Sequence, residues 1–296
     1  MGKGQSKSVE SASTPNEPWR TLTWSEKTEI FKELEDFKPH SESNSIIRIL
    51  LYGPIGAGKS CFINSVQRVL LGRNSAGALE QGAQMGKSFT NTIRTHKLKR
   101  RGGGRYPIAL TDITGLHAED GRGIQCEDII KVLEGHIADG YTFNPEQTIT
   151  ENHQHYNQNP ELQDKVHCLV TIIPADAVSR IDSKVIEKMK TVRQKARDLN
   201  IPQVIVLTKV DQACLMVNKN LRMIYHSRKI KEKVDESYNK LGIPLNKIYP
   251  VKNYHAEITQ NEDNDVLILM ALRDIVNFAN DFLEDLEDRE GLSVDY

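Results

Sequence analysis

The sequence lacks the features that mark several classes of protein. Its longest apolar runs, residues 46–52 and 169–173, are strand-sized and far short of the roughly 18 residues that a membrane-spanning helix needs. The N-terminus has no apolar segment of the kind that secretory signals contain. The four cysteines lie far apart and form neither a CxxC metal pattern nor a dense disulfide framework, which is typical of a reducing, intracellular compartment.

The sequence also lacks a large excess of charge of either sign. The 39 Lys and Arg residues nearly balance the 40 Asp and Glu residues, for a net charge of −1, which argues against a globally basic nucleic-acid binder and against a highly charged disordered chain. We therefore expect no nucleic-acid partner. The 296 residues are 38% hydrophobic, enough to bury the core of one or two domains.

Strand-like and helix-like segments alternate along most of the chain, which predicts an α/β fold with a mostly parallel central sheet flanked by helices. The predicted parts are a disordered tail (1–18), a helical N-terminal extension (19–45), the α/β domain (46–286) and an acidic tail (287–296). Within the extension, a helix is predicted to start after an N-cap at Thr23 or Ser25. Asn, Gln, His and Pro dominate residues 138–165, which we interpret as a polar insertion loop on the surface.

The clearest motif is Gly53-Pro54-Ile55-Gly56-Ala57-Gly58-Lys59-Ser60, which matches G-x-x-x-x-G-K-[ST] between a predicted strand and a predicted helix. Such a loop points its N–H groups at phosphate oxygens, and the following helix adds its free N–H groups and positive dipole end. We expect Lys59 to reach the β- and γ-phosphates and Ser60 to bind Mg²⁺. Cys61 is expected to begin the buried face of the helix. The predicted phosphate-binding residues are Gly53, Gly56, Ala57, Gly58, Lys59, Ser60 and Cys61.

Two further segments are placed to sense a γ-phosphate. Asp112 ends a second apolar strand and is predicted to hold Mg²⁺, while the N–H of Gly115 is predicted to meet the γ-phosphate. Thr90, in a loop rich in hydroxyl groups, is predicted to close on the metal and the γ-phosphate as a switch segment does, with Thr92 as the alternative.

A base-reading element follows the apolar strand 204–207. In Thr208-Lys209-Val210-Asp211, the Asp211 carboxylate can accept two N–H bonds from guanine, a donor pair that adenine lacks, and the Lys209 stem can pack over the base. The Asn that is usual at the first position is Thr208 here. After the next strand, the loop at Lys252 is predicted to meet guanine O6 through its backbone N–H, and a charged turn is the alternative.

The order of these elements resembles the P-loop GTPases, and more narrowly the interferon-induced protein 44 and 44-like family. The resemblance covers about residues 18–285 and is carried by Pro18-Trp19-Arg20, Trp24, Lys38-Pro39, residues 51–66, Ser88-Phe89-Thr90 and Pro250-Val251-Lys252-Asn253-Tyr254. It implies a three-layer P-loop NTPase fold (a G domain), GTP and GDP with Mg²⁺ as ligands, and an interferon-responsive, cytoplasmic protein of innate antiviral defence. It also implies that hydrolysis is less certain than binding.

Hydrolysis is expected to be slow. Small GTPases carry a Gln directly after D-x-x-G to orient the attacking water, and Leu116 stands there instead. His117 follows and is the one candidate catalytic residue, against the alternative of an exposed loop histidine. The favoured function is a nucleotide-controlled interaction module that self-associates across its nucleotide face. The alternatives are a multiple-turnover GTPase, a nucleotide-independent scaffold, and an ATPase or P-loop kinase.

Three minor features remain. The N-terminal sequence fits the myristoylation pattern M-G-x-x-x-[ST], so acylated Gly2 is expected to give at most weak, reversible membrane contact. The basic run 97–101 predicts a solvated hairpin turn, with an RNA- or lipid-binding patch as the alternative. His153 and His155 lack a third ligand and are interpreted as loop residues rather than a metal site.

Overall fold

Strands and helices alternate along the chain, as the sequence predicts. The structure is a computed structural model that describes residues 17–40, 46–74 and 91–292. Its strands are β1 (Ile47–Tyr52), β2 (Arg94–Lys99), β3 (Arg105–Asp112), β4 (Cys168–Pro174), β5 (Gln203–Thr208) and β6 (Ile248–Pro250). Its α-helices are α1 (Lys27–Asp36), α2 (Lys59–Leu71), α3 (Cys126–Leu133), α4 (Ser183–Asp198), α5 (Val210–Ala213), α6 (Leu215–Lys219), α7 (Arg228–Leu241) and α8 (Glu262–Leu292).

The six strands form one sheet in the order β2-β3-β1-β4-β5-β6. All neighbours pair in parallel except β2, which joins β3 as an antiparallel hairpin. All seven residues of β4 and all but Arg48 in β1 are buried, as expected of central strands covered on both faces. The predicted three-layer α/β fold with a mostly parallel sheet is confirmed.

The strand order reverses at β1: β3 and β2 lie on one side of it, and β4, β5 and β6 lie on the other. In open parallel sheets, ligands bind outside the carboxyl ends of the strands at such a switch point. The loops that follow β1, β3, β5 and β6 all leave the sheet at this edge, so the fold brings the predicted motifs to one place.

The N-terminal extension belongs to the same core as the sheet. Ile30 and Leu34 of α1 are buried, and the helix packs against α8. Arg20 donates hydrogen bonds to the carbonyl oxygens of Ile248 (2.7 Å) and Leu245 (2.6 Å). The expected N-cap at Thr23 or Ser25 is wrong, because the helix begins at Lys27 after Glu26, whose side chain makes no capping bond.

The last helix continues beyond residue 286, where the α/β domain was predicted to end. We predicted a domain boundary at residue 286, but α8 continues without a break to Leu292, so the boundary falls inside the helix. The acidic side chains of Glu284, Asp285 and Asp288 are exposed, so their charges do not interrupt the backbone hydrogen bonds of the helix. Over the described residues, no helix is both long and apolar enough to cross a membrane.

The polar insertion is more than a surface loop. It has little regular structure, but Tyr141, Phe143 and Ile149 are buried. Backbone bonds from Ile93 N to Tyr141 O (2.9 Å) and from Gly140 N to Ile93 O (3.0 Å) attach it to the segment that enters β2. These few apolar side chains anchor a segment whose composition alone indicated a solvated loop.

The basic hairpin folds back onto the N-terminal helix. Arg100 donates to the carbonyl oxygen of Glu35 (2.9 Å) and lies 4.5 Å from the ring centre of Tyr106, while Arg101 lies 5.2 Å from the ring centre of Phe31. These two guanidinium groups therefore have partners within the chain, whereas residues 101–105 at the turn itself are exposed, as predicted for a solvated turn.

Candidate functional site

The phosphate loop connects β1 to α2 and leaves four of its N–H groups unpaired within the described part of the chain, while those of Ile55 and Ala57 donate to Leu116 O and Pro54 O. Among the described residues, none accepts a hydrogen bond from the N–H groups of Gly56, Gly58, Lys59 or Ser60. Gly58 has a φ of 95°, a conformation that favours glycine and starts the helix at Lys59. Unpaired N–H groups at a helix N-terminus, next to a lysine, form a site that suits phosphate.

Lys59 lies across this loop. Its Nζ is 3.5 Å from the carbonyl oxygen of Gly53 and 3.4 Å from that of Pro54, and the side chain is 8% exposed. Burial lowers the pKa of Lys59, and the nearby Asp112 carboxylate partly offsets that effect. A buried ammonium group with only two long contacts to carbonyl oxygens would gain strongly from an anionic ligand.

Ser60 and Asp112 meet as the sequence predicts. The Ser60 hydroxyl donates to Oδ2 of Asp112 at 2.6 Å. The other oxygen, Oδ1, is buried and has no hydrogen-bond partner among the described residues. Burial raises the pKa of Asp112, whereas the Ser60 hydroxyl and the Lys59 ammonium group lower it. A buried carboxylate oxygen without a partner needs a cation or a donor to compensate for its lost hydration.

This pair fits Mg²⁺ in chemical terms. Magnesium prefers oxygen ligands, and it commonly takes one or two from protein while phosphate and water supply the rest. Ser60 and Asp112 offer such oxygens beside the unpaired N–H groups of the loop. Within the described ranges, no three His, Cys, Asp or Glu side chains converge on a metal site, so no protein-only metal centre competes with this pair.

The segment after β3 is clamped against the phosphate loop. Leu116 N donates to Gly53 O (3.0 Å), and Ile55 N donates to Leu116 O (3.2 Å). A methyl group at Gly115 would lie 2.6 Å from both the Cα and the N of Ile55, so only glycine fits there. Gly115 is thereby brought beside the loop, as its predicted γ-phosphate contact requires.

Thr208, the last residue of β5, is hydrogen-bonded to the phosphate loop. Its hydroxyl donates to Ala57 O at 2.6 Å and lies 3.3 Å from Ile173 O, and the side chain is fully buried. The hydroxyl is thus a link between loops and does not face the expected position of the base. Thr208, which stands where Asn is usual, therefore makes a short hydrogen bond to the phosphate loop.

Asn253 is a site residue that the candidate set lacked. Its Nδ2 donates to Gly58 O (3.3 Å), and its Oδ1 is buried without a partner among the described residues. The sequence carried a signal for it, because Asn253 directly follows Lys252 in the loop after β6. Only the fold shows that the amide of Asn253, and not the ammonium group of Lys252, reaches the phosphate loop.

Asp211 and Lys209 lie at the same edge. Lys209 adopts a left-handed backbone conformation with φ of 58°, directly after Thr208, and Asp211 follows in the first turn of α5. The Asp211 carboxylate makes no hydrogen bond or ion pair with any other described residue, so it is free to accept two N–H groups from a ligand.

Lys252 is held by the loop after β6. Its Nζ forms an ion pair with Glu257 at 2.8 Å. Although burial opposes ionisation of Glu257, the N–H of His255 and the Lys252 ammonium group bring the pKa of Glu257 to about 2. The buried Arg68 of α2 donates to Glu257 O (2.6 Å) and fixes the same loop to the helix that follows the phosphate loop. The backbone role predicted for Lys252 stays a prediction.

His117 is oriented by its own loop. Its Nδ1 accepts a hydrogen bond from Glu119 N (3.0 Å), and its carbonyl oxygen accepts one from Lys188 Nζ on α4 (3.1 Å). Among the described residues, no hydrogen bond joins its ring to the phosphate loop. The catalytic role of His117 remains a prediction.

Thr90 and Gly2 lie outside the described residues. Thr92 is described, and its hydroxyl pairs with that of Thr142 in the insertion at 3.1 Å. Cys61, expected to begin the buried face of α2, is instead exposed, and the buried face begins at Phe62.

Comparison with known proteins extends this description. No family model matches the chain. Human interferon-induced protein 44-like is 33% identical over 261 residues, and human and mouse interferon-induced protein 44 are 36% and 33% identical over 258 residues. These alignments cover 87–88% of this chain but 57–60% of the relatives, so the chain spans little more than half of their length.

Solved structures with a similar chain path include a probable GTP-binding protein EngB (15% identity, TM-score 0.44) and elongation factor SelB from Methanococcus maripaludis (16% identity, TM-score 0.40). Each alignment covers 79% of this chain; the first covers 99% of the EngB chain and the second covers 34% of the SelB chain. The sequence relatives confirm the resemblance stated above: over most of its length, this chain is a homologue of the interferon-induced protein 44 and 44-like proteins.

Proposed function

We propose that this chain binds GTP and GDP, with Mg²⁺, and acts as a nucleotide-controlled interaction module. The observation that carries the proposal is the pair of hydrogen bonds from Thr208 to Ala57 and from Asn253 to Gly58. They attach the loops that follow β5 and β6 to the phosphate loop, so the edge of the sheet that offers unpaired N–H groups for phosphates also carries the free carboxylate of Asp211 for a purine.

The preference for guanine rests on Asp211. A carboxylate accepts hydrogen bonds only, and guanine offers two adjacent N–H donors where adenine offers one donor and one acceptor. A site built around such an acceptor discriminates strongly against a ligand that leaves it unpaired. The free Asp211 carboxylate therefore supports guanine as the base.

Slow or absent hydrolysis is part of the proposal. Leu116 has an apolar, buried side chain and its backbone is paired with Gly53 and Ile55, so it offers no group to orient water. The nearest titratable group along the chain, His117, is bound within its own loop. The nucleotide would therefore act mainly by changing which surface the loops after β1 and β3 present.

The cellular role is proposed from the relatives. Because proteins named interferon-induced 44 and 44-like share about a third of the aligned residues, we propose an interferon-responsive role in innate antiviral defence, in the cytoplasm. Self-association across the nucleotide face, protein partners of unspecified identity, and weak membrane contact through an acylated Gly2 complete the proposal.

Fluorescence titration with labelled GTP, GDP and ATP tests the ligand. The wild type should bind both guanine nucleotides and bind ATP more weakly, and Asp211→Asn should lose the guanine preference and gain affinity for xanthosine triphosphate. Asp198→Asn, an exposed change of the same kind on α4, is the control and should leave all affinities unchanged. Equal affinity for ATP and GTP in the wild type would refute guanine recognition.

A further inference from the structure

A basic recess lies at the end of the sheet opposite the phosphate loop. It has a volume of about 280 Å³ and is formed by the end of α4, the turn that enters β5 and the 3-10 helix Leu245–Lys247 that enters β6. Since β5 is six residues long, this recess is on the order of 20 Å from the nucleotide edge of the sheet. It is a separate site.

Three cationic side chains line this recess, from Arg193, Arg197 and Lys247, and no Asp or Glu is among its lining residues. None of the three forms an ion pair with the described residues. On the same helix, by contrast, Lys188 pairs with Asp120 (3.3 Å) and Lys195 pairs with Glu134 (2.7 Å). Among the unpaired cations of α4, Arg193 and Arg197 are the two that line the recess.

Two hydrogen bonds with Gln203 fix the side chain of Arg193. Its Nε donates to Oε1 of Gln203 (2.9 Å), and Nε2 of Gln203 donates back to the carbonyl oxygen of Arg193 (3.0 Å). This reciprocal pair fixes the guanidinium plane and leaves its two terminal nitrogens for a ligand. Burial lowers the pKa of Arg193, the nearby Tyr52 partly offsets this effect, and the neighbouring charge of Arg197 adds to it.

Lys247 completes the recess from the other side. Its Nζ lies 4.5 Å from the ring centre of Phe278 on α8, a cation–π contact that orients the ammonium group without using its hydrogen-bond donors. Asn200, with a φ of 57°, turns the chain at the rim and adds a side-chain amide. All the charged groups of the lining are positive.

We propose that this recess binds a small polyanion that carries phosphate groups. The guanidinium fork of Arg193 suits two oxygens of one phosphate, while Arg197 and Lys247 supply further positive charge. The source is either a soluble sugar phosphate or the exposed headgroup of a phosphoinositide, because both present the same chemistry. The proposal does not depend on guanine nucleotide binding.

Calorimetric titration of the full chain with inositol 1,4,5-trisphosphate tests the proposal. Excess GDP and Mg²⁺ are included in a parallel titration, because a ligand in the recess should bind equally well when the phosphate loop is occupied. The triple variant Arg193→Gln/Arg197→Gln/Lys247→Gln should bind at least about tenfold more weakly, since it loses several charge-assisted hydrogen bonds.

A matched control carries the same change in charge. Lys184, Lys190 and Lys229 are exposed and unpaired among the described residues, so Lys184→Gln/Lys190→Gln/Lys229→Gln should change the affinity less than about twofold. Equal weakening in both triple variants, or no saturable binding by the wild type, overturns the proposal. If the first triple variant does not fold, Arg193→Lys keeps the charge and should still weaken binding several-fold.

Sedimentation with phosphatidylcholine vesicles, with and without phosphatidylinositol 4,5-bisphosphate, separates the two sources. Wild-type sedimentation that requires the phosphoinositide and is lost in the recess variant identifies a lipid headgroup. Binding of the soluble probe without sedimentation identifies a soluble ligand.

Discussion

Thr208 donates a 2.6 Å hydrogen bond to the carbonyl oxygen of Ala57, although 151 positions separate them in the chain. The bond joins the loop that follows β5 to the loop that follows β1. Both groups are fully buried, so neither can turn to water when the other is removed.

Thr208→Val should therefore destabilise the protein. Valine keeps the shape but leaves Ala57 O without this donor, which should reduce the free energy of unfolding by about 1–3 kcal/mol. Urea denaturation measures the change. Thr191→Val on the exposed face of α4 is the control, with an expected change within about 0.5 kcal/mol. A loss no larger than that of the control would show that the bond is not important for stability.

Gly115→Ala should distort the phosphate loop. The added methyl group would lie 2.6 Å from backbone atoms of Ile55, which cannot move without breaking the clamp between Leu116 and Gly53. We expect a loss of about 1–3 kcal/mol in the free energy of unfolding, and weaker GTP binding. Gly102→Ala, where a methyl group meets nothing within 4 Å, should behave as wild type. Thermal unfolding with and without GTP measures both effects, and wild-type values for Gly115→Ala would contradict the prediction.

Asp112→Asn should remove the magnesium dependence of GTP affinity. The wild-type carboxylate has a buried oxygen without a partner beside the Ser60 hydroxyl, and an amide cannot supply the same negative charge to a cation. Titration of GTP with Mg²⁺ and with EDTA measures the ratio of affinities. That ratio should be large in wild type and close to one in the variant. If Mg²⁺ strengthens binding equally in both, Asp112 does not serve the metal.

His167 should make stability depend on pH. Burial lowers its pKa to about 4 from the ordinary 6.5, and its Nδ1 accepts from Arg48 N while Nε2 faces the Leu162 carbonyl oxygen. The folded state therefore binds fewer protons than the unfolded state between these values. Its contribution is complete above pH 6.5 and is lost as the pH falls towards 4, by roughly 2 kcal/mol at pH 5.

Urea denaturation between pH 7.5 and pH 5 measures this loss. In His167→Asn, which lacks the titrating ring, the decline should be shallower by the same amount. Taking the difference between the two proteins removes the effects of carboxylates such as Asp112 and Asp128, whose raised pKa values act in the opposite direction. Parallel pH profiles would contradict the assignment.

Local patterns were enough to predict much of the fold and site. A helix was predicted after the phosphate loop from the Gly-rich motif that precedes it, and α2 is found there over Lys59–Leu71. Asp112 and Ser60 were paired from motif order alone, since parallel strands end at the same edge. These predictions succeed because hydrogen-bonded turns and buried strands depend on near neighbours in sequence.

The sequence by itself determined the α/β fold, the phosphate loop and the order of its partner loops. Tertiary structure alone decided that Asn253 reaches Gly58 across 195 positions, that three apolar side chains bury part of the polar insertion, and that Arg193, Arg197 and Lys247 share a recess. Those contacts join residues far apart in the chain. Their geometry depends on how whole elements pack, which no local spacing of residue types encodes.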